Sequence, residues 1–144
     1  MTPAESDPSP QQPFARGIPY VLIAEDDHAF RRLLVAAFRR WGFGVLEARD
    51  GLELGALLDT LLMHRDRAPV IDLVVSDIRM PGRSGLMALA ELRERNWSTP
   101  VVLMSAFGDA HTHAQALRLG ATMLDKPFPL AKLHDLIADL EPAN

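Results

Sequence analysis

The amino-acid sequence predicts an α/β domain built on a doubly wound, five-stranded parallel sheet. Short runs of β-branched and aliphatic residues alternate with longer segments in which apolar residues recur at three- and four-residue steps, the spacing of one helix face. The short runs are apolar almost without a break, as expected of strands buried on both sides. This alternation favours right-handed β-α-β crossovers, so helices should cover both faces of the sheet.

Each element is predicted from its own pattern. Strands are expected at YVLIA (20–24), GVLEA (44–48), IDLVVS (71–76), PVVLMS (100–105) and ATML (121–124). Apolar stripes of helices are formed by Phe30, Leu33, Leu34, Ala37, Phe38 and Trp41; by Leu54, Leu57, Leu58, Leu61 and Leu62; by Leu86, Leu89 and Ala90; and by Leu130, Leu133, Ile137 and Leu140. Asp27 and Asp109 are expected to cap the first and fourth helices, because aspartate is a preferred N-cap residue.

The length of 144 residues is that of one ordinary domain with one core. Residues 1–18 are rich in Pro, Ser and Gln and poor in aliphatic side chains, so they are predicted to form a flexible arm. The folded domain is expected over residues 19–141.

Composition excludes several classes of protein. A net charge of −4 argues against direct nucleic-acid binding, and the basic pairs Arg31-Arg32 and Arg39-Arg40 are interpreted as solvated helix faces. The sequence contains no cysteine, so it has no thiolate metal site and no cysteine nucleophile. No apolar run is long enough to cross a bilayer. We expect a cytoplasmic protein without membrane insertion.

Polar residues stand where the predicted strands end. Glu25, Asp26 and Asp27 follow the first strand, Asp77 the third, and Lys126 the fifth, while Ser105 ends the fourth. In a parallel sheet these ends meet at one edge, where ligands bind. Crowded carboxylates repel unless a cation is present, and Mg²⁺ prefers oxygen ligands. Lys126 and Ser105 would complete a pocket for an anion on Asp77.

Four motifs occur in a characteristic order between Tyr20 and Leu140: VLIAEDD, SDIRMPGRSG, VVLMSAFGDA and LDKPF. Together they make the chain resemble the receiver domain of two-component response regulators, in particular the single-domain regulators of chemotaxis. The resemblance implies a flavodoxin-like fold with strand order 2-1-3-4-5. It also implies a phosphorelay protein that accepts a phosphoryl group from a sensor histidine kinase or a histidine phosphotransfer protein.

Residue roles follow from the same resemblance. Asp77 would be the phosphoacceptor, assisted by Lys126 and by the Ser105 hydroxyl. Mg²⁺ would be bound by Asp26 and Asp77 directly, by Glu25 through water, and by the carbonyl of Arg79. The peptide bond before Pro127 would be cis.

Signal output would use the loop after Ser105. The resemblance implies that the phosphorylated site draws Ser105 and residues 106–108 towards it, changing the affinity for a downstream protein. Many relatives turn an aromatic residue during this switch, at the position that Met123 occupies here. Arg79 and Phe107 flank the approach to Asp77, so we predict that they obstruct attacking water and prolong the life of the phosphoryl group. A monomer or weak dimer is expected.

Three other classes remain open. The chain could be a receiver segment that regulates an effector domain, DNA-binding or kinase, in a longer protein. It could be an aspartyl-phosphate phosphatase, although Arg79 stands where such enzymes need a second acid. It could bind partners without phosphate. We expect a phosphoacceptor switch with at most slow self-catalysed phosphorylation and dephosphorylation, and not an enzyme.

Overall fold

The computed structural model describes residues 17–64, 66, 70–82, 84–106 and 110–140. Strands and helices alternate through them in this order: β1 (Tyr20–Ala24), α1 (His28–Arg40), β2 (Gly44–Ala48), α2 (Gly51–Met63), β3 (Leu73–Asp77), α3 (Gly85–Glu94), β4 (Val101–Ser105), α4 (Ala110–Arg118), β5 (Thr122–Asp125) and α5 (Leu130–Leu140). The strands form one parallel sheet in the order β2-β1-β3-β4-β5. The predicted fold class and strand order are confirmed.

Both faces of the sheet are covered by helices. One apolar cluster lies between the sheet and helices α1 and α5, and a second lies between the sheet and helices α2, α3 and α4. Successive residues of β1 alternate between them, since Val21 and Ile23 belong to the first cluster and Leu22 to the second. Burial on both sides explains the unbroken apolar runs in the sequence. Each fully buried side chain of this size stabilises the fold by about 2 kcal/mol.

Strand boundaries differ slightly from those predicted. β1 and β2 begin and end as predicted, whereas β3 begins at Leu73, two residues late, and ends at Asp77. Ile71 is buried but precedes the paired segment, whose register begins with Val21 opposite Leu73. An apolar run marks burial, and burial extends beyond backbone pairing. Asp77 is therefore the last residue of β3 rather than the first residue after it.

Helix starts are fixed by side-chain caps. The Asp27 carboxylate accepts a hydrogen bond from the Phe30 amide at 3.0 Å, so the predicted cap of α1 is confirmed. Asp50 and Ser84 cap α2 and α3 in the same way. Asp109 lies outside the described residues, as do residues 1–16 of the predicted arm. Among the described residues, no helix is both long and apolar enough to span a membrane.

One interpretation of the basic pairs is wrong. Arg39 and Arg40 are exposed, as expected, and the side chain of Arg32 is 54% exposed. Arg31, however, is only 4% exposed. It faces β2 from the first turn of α1, where its guanidinium contacts Glu47 at 3.2 Å. A basic pair on a helix does not place both members in solvent, because adjacent residues point about 100° apart.

Candidate functional site

The register of the sheet aligns the carboxyl ends of its strands. Ala24 lies opposite Ser76, Asp77 lies opposite Met104, and Ser105 lies opposite Asp125. Residues at or just after these ends therefore share one edge of the sheet. Side chains from β1, β3 and β5 meet there although they are far apart in sequence.

Lys126 joins two of the predicted acids. Its ammonium donates to Glu25 Oε1 at 2.9 Å and to Asp77 Oδ2 at 3.1 Å. The other oxygen of Glu25 accepts from the Asp27 amide at 3.0 Å. The Glu25 side chain is 1% exposed and that of Lys126 is 21% exposed, so these contacts are shielded from water. Shielded charge pairs of this kind interact far more strongly than surface pairs.

A cluster of three carboxylates is suited to a hard cation. Glu25, Asp26 and Asp77 each offer an oxygen, and these oxygens lie within 4.8 Å of one another. Asp26 is exposed, whereas the other two are buried. The donor set is all oxygen, as Mg²⁺ prefers, and the exposed side leaves room for the waters that Mg²⁺ retains. The residues present therefore fit a magnesium ion.

The segment after β3 is held close to Asp77. The Arg79 amide donates to Asp77 Oδ1 at 3.4 Å, and the Pro81 carbonyl accepts from the Gly51 amide at 2.9 Å, which ties this turn to α2. Gly85 begins α3 directly beside the strand end. A Cβ at Gly85 would lie 2.5 Å from the Asp77 carbonyl oxygen, so only glycine permits this approach.

Lys126 is itself fixed by its neighbours. Its amide donates to the Ser105 carbonyl at 2.8 Å, and Ser105 is buried. Its ammonium lies 5.0 Å from the centre of the Phe30 ring, within the range of a cation–π contact. The Lys126–Pro127 peptide bond is cis, as the resemblance implied. A cavity of about 260 Å³, lined by Asp27, Phe30, Lys126, Pro127 and Phe128, opens beside the ammonium.

The electrostatics of the site follow from burial and proximity. Burial raises the pKa of Glu25 above its ordinary value, and the hydrogen bond from Lys126 offsets this only in part. Burial alone would lower the pKa of Lys126, but the hydrogen bonds and charges of Glu25 and Asp77 outweigh it and raise that pKa. Lys126 is therefore a fixed positive charge at neutral pH.

The structure brings the predicted acids Glu25, Asp26 and Asp77 together with Lys126, and it places Ser105 and Arg79 beside them. Phe107 and Gly108 of the predicted switch loop lie outside the described residues. His113 on α4 is partly buried near this edge, and its Nε2 lies 3.5 Å from Asp125 Oδ1. His111, two residues earlier on the same helix, is exposed. Met123 is partly buried against the cluster that packs on α2, α3 and α4.

Sequence reasoning missed three residues around the site. Phe30 was assigned only to the core, Arg31 was interpreted as part of a solvated helix face, and Glu47 was not singled out. Arg31 Nη1 donates to the Glu25 carbonyl at 2.8 Å while its Nε contacts Glu47. A signal was present: Glu47 is an acid within the otherwise apolar strand GVLEA, and a partly buried acid favours a basic partner.

Comparison with known proteins gives a single family. A sequence model of the response regulator receiver domain matches residues 21–138. The regulatory protein AtoC of Escherichia coli is 37% identical over 118 residues, which cover 81% of this chain and 24% of AtoC. The transcriptional activator protein PfeR of Pseudomonas aeruginosa is 40% identical over 116 residues, covering 80% of this chain and 35% of PfeR. The chain thus spans about a quarter to a third of these relatives.

Solved structures have the same fold. The receiver domain of the Francisella response regulator 1452 superposes with a TM-score of 0.73 at 30% identity, covering 85% of this chain and 95% of that one. The response regulator TrrA of Thermotoga maritima, solved in complex with Mg²⁺ and BeF, superposes with a TM-score of 0.71 at 23% identity, covering 86% of this chain and 100% of TrrA. The latter likeness is one of fold.

Proposed function

This chain belongs to the family of response regulator receiver domains, and from that premise we propose that Asp77 is its phosphoacceptor. The observation that carries the proposal is the contact of one ammonium, Lys126, with both Glu25 and Asp77 at 2.9 and 3.1 Å. That contact leaves Asp77 at the edge of the sheet, next to a fixed positive charge and two further acids. Such a setting suits the transfer of a highly charged group.

The chemistry is a displacement at phosphorus. A carboxylate oxygen of Asp77 attacks the phosphoryl group of a phosphohistidine donor, the phosphorus–nitrogen bond breaks, and an acyl phosphate forms. Lys126 neutralises part of the charge on the transferred group, and the Ser105 hydroxyl donates to it once it is in place. The rigid strand β3 presents Asp77 in one orientation, which lowers the entropy lost on reaction.

Glu25, Asp26 and Asp77 are the residues that would hold Mg²⁺, together with the carbonyl of Arg79. The bound ion would supply positive charge to the phosphoryl oxygens. Glu25 is the least accessible of the acids and is already paired with Lys126, which supports the proposal that it acts through water. Asp26 is the exposed acid, which supports direct binding.

The partners that we propose are a sensor histidine kinase or histidine phosphotransfer protein and a downstream protein target. The protein would act in the cytoplasm, as a switch that phosphorylates and dephosphorylates itself at most slowly. A second candidate is control of an effector segment in a longer protein. It is favoured by the relatives, because AtoC and PfeR are regulators of which the matched segment is a minor part.

Phosphoryl acceptance is tested with acetyl phosphate and Mg²⁺. We expect the intact chain to gain the mass of one phosphoryl group, and Asp77→Ala to gain none. Asp125→Asn is the matched control, because Asp125 is an exposed acid at the same edge of the sheet and outside the carboxylate cluster. Asp26→Asn should require far more Mg²⁺. Incorporation in Asp77→Ala equal to that of the unmodified chain would reject Asp77 as the acceptor.

A further inference from the structure

Arg31 is a buried cation beside the acidic cluster. It is 4% exposed, and its guanidinium contacts Glu47 on β2 and the Nδ1 atom of His28, at 3.2 and 3.0 Å. Its Nη1 donates to the carbonyl oxygen of Glu25 at 2.8 Å. A buried guanidinium is costly unless it is paired and hydrogen-bonded. Glu47 supplies the opposite charge, so the arginine can be held at the Glu25 carbonyl.

The carbonyl that Arg31 contacts lies between two of the predicted metal ligands. It belongs to the peptide group that joins Glu25 to Asp26, and this group is planar. A hydrogen bond that fixes its oxygen therefore also fixes the direction in which the chain continues to Asp26. The segment lies between the end of β1 at Ala24 and the first residue of α1, His28.

The two sides of Glu25 are held by different elements. Its amide donates to the Ala48 carbonyl at 3.1 Å, which extends the pairing with β2 by one residue. Its carbonyl is held by a side chain instead, that of Arg31. The orientation of the peptide between Glu25 and Asp26 thus depends on Arg31. The orientation of the preceding strand does not, because that strand is held by pairing with its neighbours.

We propose that Arg31 is a positioning residue for the divalent cation. By fixing the peptide between Glu25 and Asp26, it holds the two carboxylates in the arrangement in which both face the ion. This inference rests on the proposed function, because it takes the acidic cluster to bind Mg²⁺. Groups that orient metal ligands in this indirect way commonly change metal affinity by about 10- to 100-fold when removed.

Arg32 provides a matched control. It is the next residue of the same helix and contacts the other oxygen of the same glutamate, Glu47, at 3.4 Å. Its side chain is 54% exposed, so it reaches Glu47 from the solvent side. Replacing either arginine removes one positive charge from beside the same carboxylate, that of Glu47. Only replacement of Arg31 also releases the Glu25 carbonyl.

The test is Mg²⁺ affinity, measured by calorimetry and by following backbone amide NMR signals of the intact chain. Arg31→Gln should weaken binding about tenfold. Arg31→Lys should weaken it less, because an ammonium keeps the charge but lacks the planar fork that reaches several acceptors. Arg32→Gln should stay within about twofold of the unmodified chain, because exposed pairs contribute little.

A purely structural role for Arg31 predicts a different pattern. Val35→Ala removes buried volume from the same helix and lowers stability without touching the acids. It should leave Mg²⁺ affinity unchanged at a temperature where every variant is folded. If Val35→Ala weakens Mg²⁺ as much as Arg31→Gln does, or if Arg31→Gln stays within about twofold, the inference is overturned while the proposed function stands.

Two further outcomes are decisive. Should Arg31→Gln fail to fold, Arg31→Lys takes its place in the same comparison with Arg32→Gln, and equal affinities would overturn the inference. Should the unmodified chain bind no Mg²⁺ at millimolar concentration, the proposed function fails and this inference fails with it. Mg²⁺ binding by the unmodified chain therefore distinguishes a failure of the proposed function from a failure of the role assigned to Arg31.

Discussion

The carboxyl and amino ends of the sheet differ in the groups that their charged side chains contact. At the carboxyl ends, charged side chains contact one another as well as the main chain, and Lys126 is shared between Glu25 and Asp77. At the amino ends, charged side chains contact the main chain. Arg93 donates to the carbonyls of Leu119, Trp97 and Thr99 at 2.8, 2.8 and 3.0 Å.

The same contrast holds for the acids. Asp72, just before β3, accepts from the Tyr20 amide at 2.8 Å and so joins the beginnings of two strands. Asp77, at the other end of the same strand, is crowded by two further carboxylates. Main-chain partners are neutral and fixed by the fold, whereas carboxylate partners repel one another and respond to added cations. One end of the sheet therefore stabilises the fold, and the other is free to change its charge.

The largest effect should come from replacing the acids at the two ends of β3, Asp77 at its carboxyl end and Asp72 just before its amino end, one at a time. Asp77→Asn should abolish phosphoryl incorporation, because it removes the nucleophilic oxygen. Asp72→Asn should retain incorporation but lower the free energy of unfolding by about 1 kcal/mol, because it weakens one hydrogen bond to a charged acceptor. Mass spectrometry and urea unfolding measure the two outcomes. Loss of incorporation in folded Asp72→Asn would break the contrast between the two ends.

The amino end is tested through Arg93. Arg93→Gln should lower the free energy of unfolding by about 2 kcal/mol, because three carbonyls lose a charged donor. Arg95→Gln is the control, since Arg95 is half exposed and lies 3.9 Å from Asp59, a pair worth at most about 0.5 kcal/mol. Urea unfolding measures both. Mg²⁺ affinity should be unchanged in both variants. A clear loss in either would contradict the separation between an amino end that stabilises the fold and a carboxyl end that binds the cation.

The lifetime of the phosphorylated protein tests whether residues near Asp77 slow its hydrolysis. Arg79 follows Asp77 by two residues, and its amide is 3.4 Å from the Asp77 carboxylate. We predict that bulk at Arg79 and Phe107 obstructs water, so Arg79→Asn combined with Phe107→Glu should shorten the life of the phosphorylated protein several-fold. The decay is followed by mass spectrometry after the donor is removed. Unchanged or slower decay would reject the idea.

The smallest effect is a pH dependence. Burial raises the pKa of Glu25 above 4.5, so in the unfolded chain this carboxyl loses its proton at lower pH than in the folded one. Without Mg²⁺, the contribution of Glu25 to stability should therefore fall as pH rises from about 4.5 to the raised pKa, and stay level above it. Urea unfolding of the unmodified chain and of Glu25→Gln, compared across that window, measures the difference. Parallel stability curves would show that Glu25 has an ordinary pKa.

The fold, and the meeting of the acids at one edge of the sheet, could both be predicted from the sequence. Alternating apolar runs predicted the parallel α/β fold, the resemblance implied the strand order, and the strand ends predicted which residues meet. Arg31 could not be placed in this way, because a helix pattern does not say which member of a basic pair faces the sheet. The cation–π contact of Lys126 with Phe30 was equally hidden, since Phe30 also fits an apolar stripe. Such contacts depend on distances between elements that are remote in sequence.

The ion pair between Lys126 and Glu25 joins residues 101 positions apart, the first strand to the last. During synthesis the acids of β1 and β3 leave the ribosome well before Lys126 does, so a nascent chain carries the acids before it has the base that joins them. Only docking of β5 completes the pocket. Under the proposed function, phosphorylation of Asp77 would then require a fully assembled sheet, and partly folded chains would not accept a phosphoryl group.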